Sequence, residues 1–376
     1  MNILRHIILV LILWTFPSFA LAYISPGFGS ALSYFTFLLL MGYYVLEPDK
    51  SRPFMIFIVL GLAYFLIGGL QYDKINDKDF FISMIKYMVI IVSGGQLIKK
   101  TSLKSIYIIL LLGALCVSVH AIFFPMYNAN FSPSYGRYSG FYLNPNYAGA
   151  ICLVCFAMSF GINNKILRLT GQIIATFGGI FTFSRYFIVI WVLLNIISVF
   201  INRKNIIAPV IGALALFLII AFSSMLQLNS TRFDALMSIL DDRPIKTEVI
   251  GDDSRTHTWL TYKDIILDKP LTGNGFKTLY GNNFGLSAGV HNTYLLVIGE
   301  AGIIPFIILI YLYLWLLIRS FKHFKSHPHN FMLGIVLLTA LMVTHNYFDK
   351  FSILLISIYL YNELTKIEEE QNENYY

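Results

Sequence analysis

Charge is what this sequence has least of. Only 12% of its 376 residues are Asp, Glu, Lys or Arg, about half the share of an ordinary soluble domain. That deficit excludes a water-soluble chain of this length. Cysteine is scarce as well: Cys116, Cys152 and Cys155 all lie inside apolar runs. Cys152 and Cys155 have CxxC spacing, but thiols in apolar surroundings stay protonated and inert, so they read as small core residues rather than a redox or zinc site. No His/Cys/Asp/Glu cluster has zinc-ligand spacing and no solenoid period recurs. Neither a metal, another cofactor nor a repeat fold is expected. A true P-loop is missing too. "TGNGFKT" resembles one, but Phe276 stands where the glycine before Lys277 belongs. "DKD" at 77–79 has the DxD form of metal-dependent sugar transfer but sits alone in a mixed-charge loop, and it reads as solvated.

What the chain has instead is apolar sequence. Hydrophobic residues make up 57% of it, and the mean hydropathy is +0.69. Runs long enough to cross a hydrocarbon core of about 30 Å recur throughout. They predict an all-α, polytopic integral membrane protein, one transmembrane domain over 1–376. About twelve spans are expected: 6–23, 30–46, 53–70, 81–98, 104–124, 144–162, 167–183, 185–201, 205–225, 291–318, 331–346 and 351–365.

The formal net charge of +7 is explained by where the basic residues lie, without invoking nucleic acid. With a cytoplasmic N-terminus, the inner loops are "EPDKSR", "KKTSLK", "NNKILR", "NRKN" and "RSFKHFKSHPH", each with two or more Lys or Arg. The short outer loops are poor in them or balance them with acids, as the positive-inside rule requires. Both termini are then cytoplasmic. The first 22 residues also resemble a signal peptide. A retained first helix is expected, and cleavage would leave every later orientation unchanged.

The one long segment outside the spans, 226–290, falls on the outer, periplasmic side. It holds a candidate helix at 231–240, then a second beginning near Asp253 or Ser254 and stopped by Pro270. Trp259, Leu260, Ile266 and Leu267 suit an amphipathic helix lying against the membrane surface.

Several polar residues run against this pattern, because they lie outside where the rule disfavours them. Arg137, Asn144 and Asn146 precede or open the sixth span in "GRYSGFYLNPNYAGA". Ser184 and Arg185 occupy the turn before the eighth, and Arg255 lies on the loop helix. His291 and Asn292 start the tenth, and His345, Asn346 and Asp349 close the eleventh. The sixth, eighth and tenth spans all run inward, so their N-termini face outward. Asn144 with Pro145 behind it, and Ser184, are good N-caps. Helix N-termini carry unpaired N–H groups and roughly half a positive charge. Beside Arg137, Arg185 and Arg255 they predict an anion cradle suited to phosphate. Glu300 is an ionisable group deep in a span, which reads as functional or as a structural hydrogen bond to a neighbouring helix.

Four motifs in order, "GRYSGFYLNPNYAGA", "TFSRYFIVIWVLL", "SRTHTWLTYKDIILDKPLTGNGF" and "VHNTYLLVIGEAGII", resemble the O-antigen ligase and polymerase superfamily over about residues 136–305. The resemblance implies a GT-C-like enzyme of the bacterial inner membrane that builds surface polysaccharide. Its donor would be a glycan on undecaprenyl diphosphate, transferred en bloc to an acceptor hydroxyl at the outer face without metal. It implies that Arg185 and Arg255 hold the diphosphate and that His291 acts at the acceptor. Polymerases transfer to another lipid-linked repeat unit, ligases to lipid A core or protein. No residue separates the two, and polymerase is the expectation. A flippase of the same lipid is the reading from another class, but it would want charges lining the membrane interior, where Lys86 and Glu300 are the main ones. The expected partners are the lipid-linked donor, the acceptor, membrane lipids and a polysaccharide-assembly complex.

Overall fold

The computed structural model describes residues 1–47, 53–70, 77–128, 132, 135–221, 255–281, 283, 286 and 288–373; of residues 77, 78, 255 and 256 it describes the backbone alone. The helix expected at 231–240 and the cap expected at Asp253 or Ser254 lie outside them. Among the described residues the structure is helical, with a single isolated bridge between Asn283 and Leu286.

The helices are α1 (Asn2–Leu13), α2 (Phe16–Tyr23), α3 (Pro26–Leu46), α4 (Met55–Leu70), α5 (Asp77–Val89), α6 (Gly95–Lys99), α7 (Leu103–Phe123), α8 (Pro145–Ser159), α9 (Lys165–Phe181), α10 (Arg185–Ile201) and α11 (Ile207–Ala221). After them come α12 (Arg255–Asp268), α13 (Thr293–Ala301), α14 (Ile303–Lys322), α15 (Pro328–Ala340) and α16 (Phe351–Glu373). A π-helical turn, Ile90–Gly94, joins α5 to α6.

The helix starts follow local chemistry. Ser102, Asn164, Ser184, Asn144 and Asn292 each accept a backbone N–H from the first turn they cap. Among the described residues five helices are long and apolar enough to cross a membrane, or six if the bent pair α1–α2 is one span. The exposed residues Ile304, Ile307, Tyr311, Leu314 and Ile318 recur along one face of α14. Such a stripe would be costly in water and suits lipid.

Three expected spans are interrupted. The first bends by 59° between α1 and α2, where Thr15 takes a left-handed φ of 51° and Pro17 opens the next helix. The tenth divides into α13 and α14 at Gly302, φ +78°. The chain at 270–273 crosses there, and a side chain at Gly302 would collide with the Leu271 carbonyl. The eleventh stops at Ala340, because the backbone beyond it turns to serve α13: Thr293 N–H donates to the Leu341 carbonyl (2.7 Å) and its hydroxyl to the Thr344 carbonyl (2.8 Å).

The core is centred on α8, buried along nearly its whole length against α7, α9, α10 and α15. Gly149 lets the start of α10 approach it: a Cβ there would already lie 3.3 Å from Ser184, Phe187 and Thr182. A smaller cluster forms where Tyr262 and Ile266 of α12 pack on Leu279, Val290 and Leu296. Trp259 joins this inward packing, whereas Leu260 and Leu267 face outward. The apolar residues of α12 thus divide between two faces, because Leu279, Ala288 and Val290 lie against one of them. The basic residues at the opposite end of the bundle serve structural ties, Lys100–Glu47 at 2.8 Å and Arg319–Glu368 at 2.6 Å.

Candidate functional site

The start of α8 is locked to the start of α10. Asn144 Oδ1 accepts from the backbone of Asn146 (2.9 Å) and Tyr147 (3.1 Å), and Pro145 occupies the position where its missing N–H costs little. Asn146 Oδ1 accepts from Ser184 Oγ (3.0 Å) and from Arg137 Nη2 (3.0 Å). Arg137 also donates through Nε to the Thr182 carbonyl (3.0 Å) and through Nη1 to the Tyr135 hydroxyl (2.9 Å). The residue is buried, 3% exposed. Arg137 therefore rivets 135–146 to the 182–184 turn. Arg137→Ala should lower stability by about 1–3 kcal/mol, the cost of stranding buried polar partners, measured by thermal unfolding in detergent. A wild-type melting temperature would remove the rivet.

Arg185 follows the Ser184 cap as the exposed first residue of α10. Tyr186 beside it donates to the Val336 carbonyl of α15 (3.1 Å), which sets the start of α10 against the C-terminal half of α15. Arg255 is the first residue of α12, and its side chain lies outside the described residues.

A third helix start, α13, faces the same end. Asn292 Oδ1 caps it through Tyr294 N–H (2.9 Å) and Leu295 N–H (3.2 Å). His291, just ahead, has φ +50°, a left-handed conformation uncommon for a residue with a side chain and one that gathers at functional sites. The Thr293 bonds to 341–344 hold it against His345, whose ring meets the His291 ring edge to face at 4.5 Å. Tyr280 meets His345 in turn at 5.3 Å. The buried Tyr280 hydroxyl lies beside the Asp349 carboxylate without a well-aligned hydrogen bond to it. Burial, and the negative charge of Asp349, hold this phenol well above its ordinary pKa, so it stays protonated. A row of titratable groups thus runs His291, His345, Tyr280, Asp349.

The row ends at a cavity of about 330 Å³ lined by α1–α3, α5 and the 348–351 turn. Lys86, Lys277 and Lys350 all reach it. Lys350 also ties this turn to the start of α8, through the Tyr142 carbonyl (3.4 Å) and the Tyr147 ring (5.0 Å). The two clusters are therefore neighbours.

Glu300 lies behind this row, close enough for its charge to interact with Tyr280 and Asp349. It is fully buried; Oε2 accepts from the Tyr64 hydroxyl (2.5 Å) and Oε1 from Leu279 N–H (2.9 Å). Around it the 274–276 backbone bonds to the Gly299 and Glu300 carbonyls and to Gly68. Its geometry is that of a latch holding the 273–279 loop onto α13 and α4. Sequence reasoning passed over Tyr280, which carries no signal there, and Lys350. Lys350 bore the same signal as Arg137, a cation on an expected outer turn. His120 was passed over too: its Nδ1 accepts from Gly140 N–H (3.1 Å) while Nε2 donates to the Tyr127 carbonyl (2.8 Å), which assigns a neutral Nε2–H tautomer that ties Tyr127 and Gly140 to α7.

Helices long and apolar enough to cross a membrane, with a pocket among them lined by three lysines, describe a helical protein of membrane character. Residues 170–310 match the family described as O-antigen ligase, which supports the resemblance to the O-antigen ligase and polymerase superfamily drawn from the motifs. No curated protein and no solved structure matches the chain. The match spans Arg185, His291 and Glu300, and ends inside α14.

Proposed function

We propose that the protein transfers a glycan en bloc from undecaprenyl diphosphate to an acceptor hydroxyl at the outer face of a bacterial inner membrane, as a polysaccharide repeat-unit polymerase. The observation that carries this is His291, held in a left-handed conformation against His345 where α8, α10 and α13 begin. The acceptor hydroxyl attacks the anomeric carbon of the donor sugar. The carbon–oxygen bond to the diphosphate breaks, the proton passes to His291, and the lipid diphosphate leaves as the anion. Arg185 and Arg255 take up the charge that develops on it, aided by the helix N-termini. Asn144, Asn146 and Arg137 hold those helix ends in register. Glu300 acts through the loop it latches. No step needs a metal ion, so transfer is expected to survive EDTA.

The surrounding architecture is proposed to be twelve spans in one domain, with both termini cytoplasmic and 226–290 periplasmic. In a cysteine-free background, cysteines placed at Gly281 and His345 should react with a membrane-impermeant thiol reagent in spheroplasts, and one at Ser326 should not. Labelling at Ser326 alone would reverse the orientation. Transfer itself is tested by reconstituting the protein in nanodiscs with lipid-linked donor and following chain growth. Absence of any glycan transfer with wild-type protein would overturn the proposal.

A further inference from the structure

The lysine-lined cavity shares no lining residue with the Arg137–Arg185 cluster, and Asp349 in its wall is reached from His291 through His345 and Tyr280. Its three ammonium groups come from three elements: Lys86 from α5, Lys277 from the latched loop and Lys350 from the turn before α16. Two carboxylates, Asp79 and Asp349, line the same space, so the three lysines leave it an excess of one positive charge. Lys86 donates to Ser33 Oγ (3.1 Å) and sits over the Tyr34 and Phe37 rings at 5.2 and 5.4 Å. Lys350 has a carbonyl and an aromatic ring. Lys277 pairs with Asp79 at 3.6 Å, where the carboxylate is largely exposed. Asp349 is the other acid in the lining, shared with Ser83 Oγ at 3.5 Å. Three cations around one small space, gathered at an energetic cost of desolvation, fit an anion that presents several oxygens at once. Hydroxyls of Thr15, Ser18, Ser30 and Ser33 supply further donors. The wall formed by α3 turns Phe35, Leu38 and Val45 outward, so a ligand there has an apolar surface beside it for a lipid chain.

We infer that this cavity is a second anion subsite, which binds the diphosphate headgroup of a lipid-linked acceptor. The inference rests on the transferase reading above and deepens it. An enzyme that joins two lipid-linked glycans must hold two lipid diphosphates, the donor's at the reacting carbon and the acceptor's at the far end of the glycan whose hydroxyl attacks, whereas transfer to lipid A core or protein needs one. A cradle at Arg185 and a cavity at Lys86, Lys277 and Lys350, the cavity joined to His291 through Asp349, Tyr280 and His345, supply two places.

Lys350 gives the site a pH dependence. Burial lowers its pKa to about 8, against the pull of the adjacent Asp349. The other groups facing it are the Tyr142 carbonyl and Tyr147 ring from the start of α8, and Lys86, Lys277 and Asp79 across the cavity. Below about pH 8 the ammonium is charged and attracts the headgroup. Above it the amine is neutral and affinity at this subsite should fall.

Native mass spectrometry of the full chain with undecaprenyl diphosphate as probe counts occupancy directly. Two lipids should bind wild type. One should remain in the Lys86→Gln/Lys350→Gln variant, with affinity at the lost position down roughly tenfold or more per lysine. One should remain in Arg185→Gln. The Lys86→Arg/Lys350→Arg variant keeps the charge and should bind two, which separates charge loss from misfolding. Two lipids in the glutamine double variant would overturn the inference, as would equal occupancy by undecaprenol. Inorganic pyrophosphate filling the cavity as strongly as the lipid would reassign it to a free diphosphate and also overturn it. If wild type binds two lipids but transfers no glycan, the transferase reading fails alone. If it polymerises while binding one, this inference fails alone.

Discussion

His291→Ala is expected to turn over lipid-linked donor roughly 100- to 10,000-fold more slowly than wild type, the range for loss of one positioned acid–base group. Binding of undecaprenyl-diphosphate glycan should stay close to wild type, because His291 serves the acceptor's proton. The left-handed backbone at this position, φ +50°, supplies a control. Asparagine tolerates that conformation far better than most side chains. His291→Asn should therefore keep the loop and the Asn292 cap intact while remaining about as slow as alanine. His291→Gln can hydrogen-bond but cannot accept the proton, so it should be slow too. Single-turnover transfer measured beside donor binding separates the outcomes. Near-native turnover in the asparagine or glutamine variant would sink the base assignment. Weakened donor binding in all three would move His291 into the phosphate cradle, with Asp349, reached through His345 and Tyr280, as the next candidate base.

Arg185→Gln is expected to lower kcat roughly 10- to 100-fold, corresponding to about 1.5–3 kcal/mol for a hydrogen bond to a charged group. Arg185→Lys keeps the charge but loses the planar fork, so it should recover only part of the rate. The residue is exposed and only its backbone begins α10. Both variants should therefore fold, and their melting temperatures should match wild type. Arg137→Ala should show the converse, reduced stability with the larger share of transfer retained per folded molecule. The contrast tests the division of labour between two arginines that look alike in sequence. If Arg185→Gln transferred glycan at the wild-type rate, the cradle would have to rest on Arg255 and the helix ends alone.

Sequence by itself determined the features that depend on near neighbours in the chain. Apolar runs are a local property, so the helical membrane character follows from composition and spacing. Caps are local too: Asn144–Pro145, Ser184 and Asn292 each satisfy the N–H groups two or three residues ahead, and each begins a helix in the structure. The motifs carrying the family resemblance lie largely within the matched stretch, 170–310. Tertiary structure alone decided which of these residues are spent on the fold. Arg137 looked like a free outer cation, but its guanidinium is taken up by Thr182, Tyr135 and Asn146. Glu300 found its partner in Tyr64, 236 residues away. His291 gained His345 because Thr293 staples α13 to the 341–344 turn, and Lys86, Lys277 and Lys350 met only when α5, the glycine loop and the 348–351 turn converged. Periodicity along a chain tells which face of a helix is buried, but not which distant helix covers it, so contacts across the bundle had to be seen rather than read.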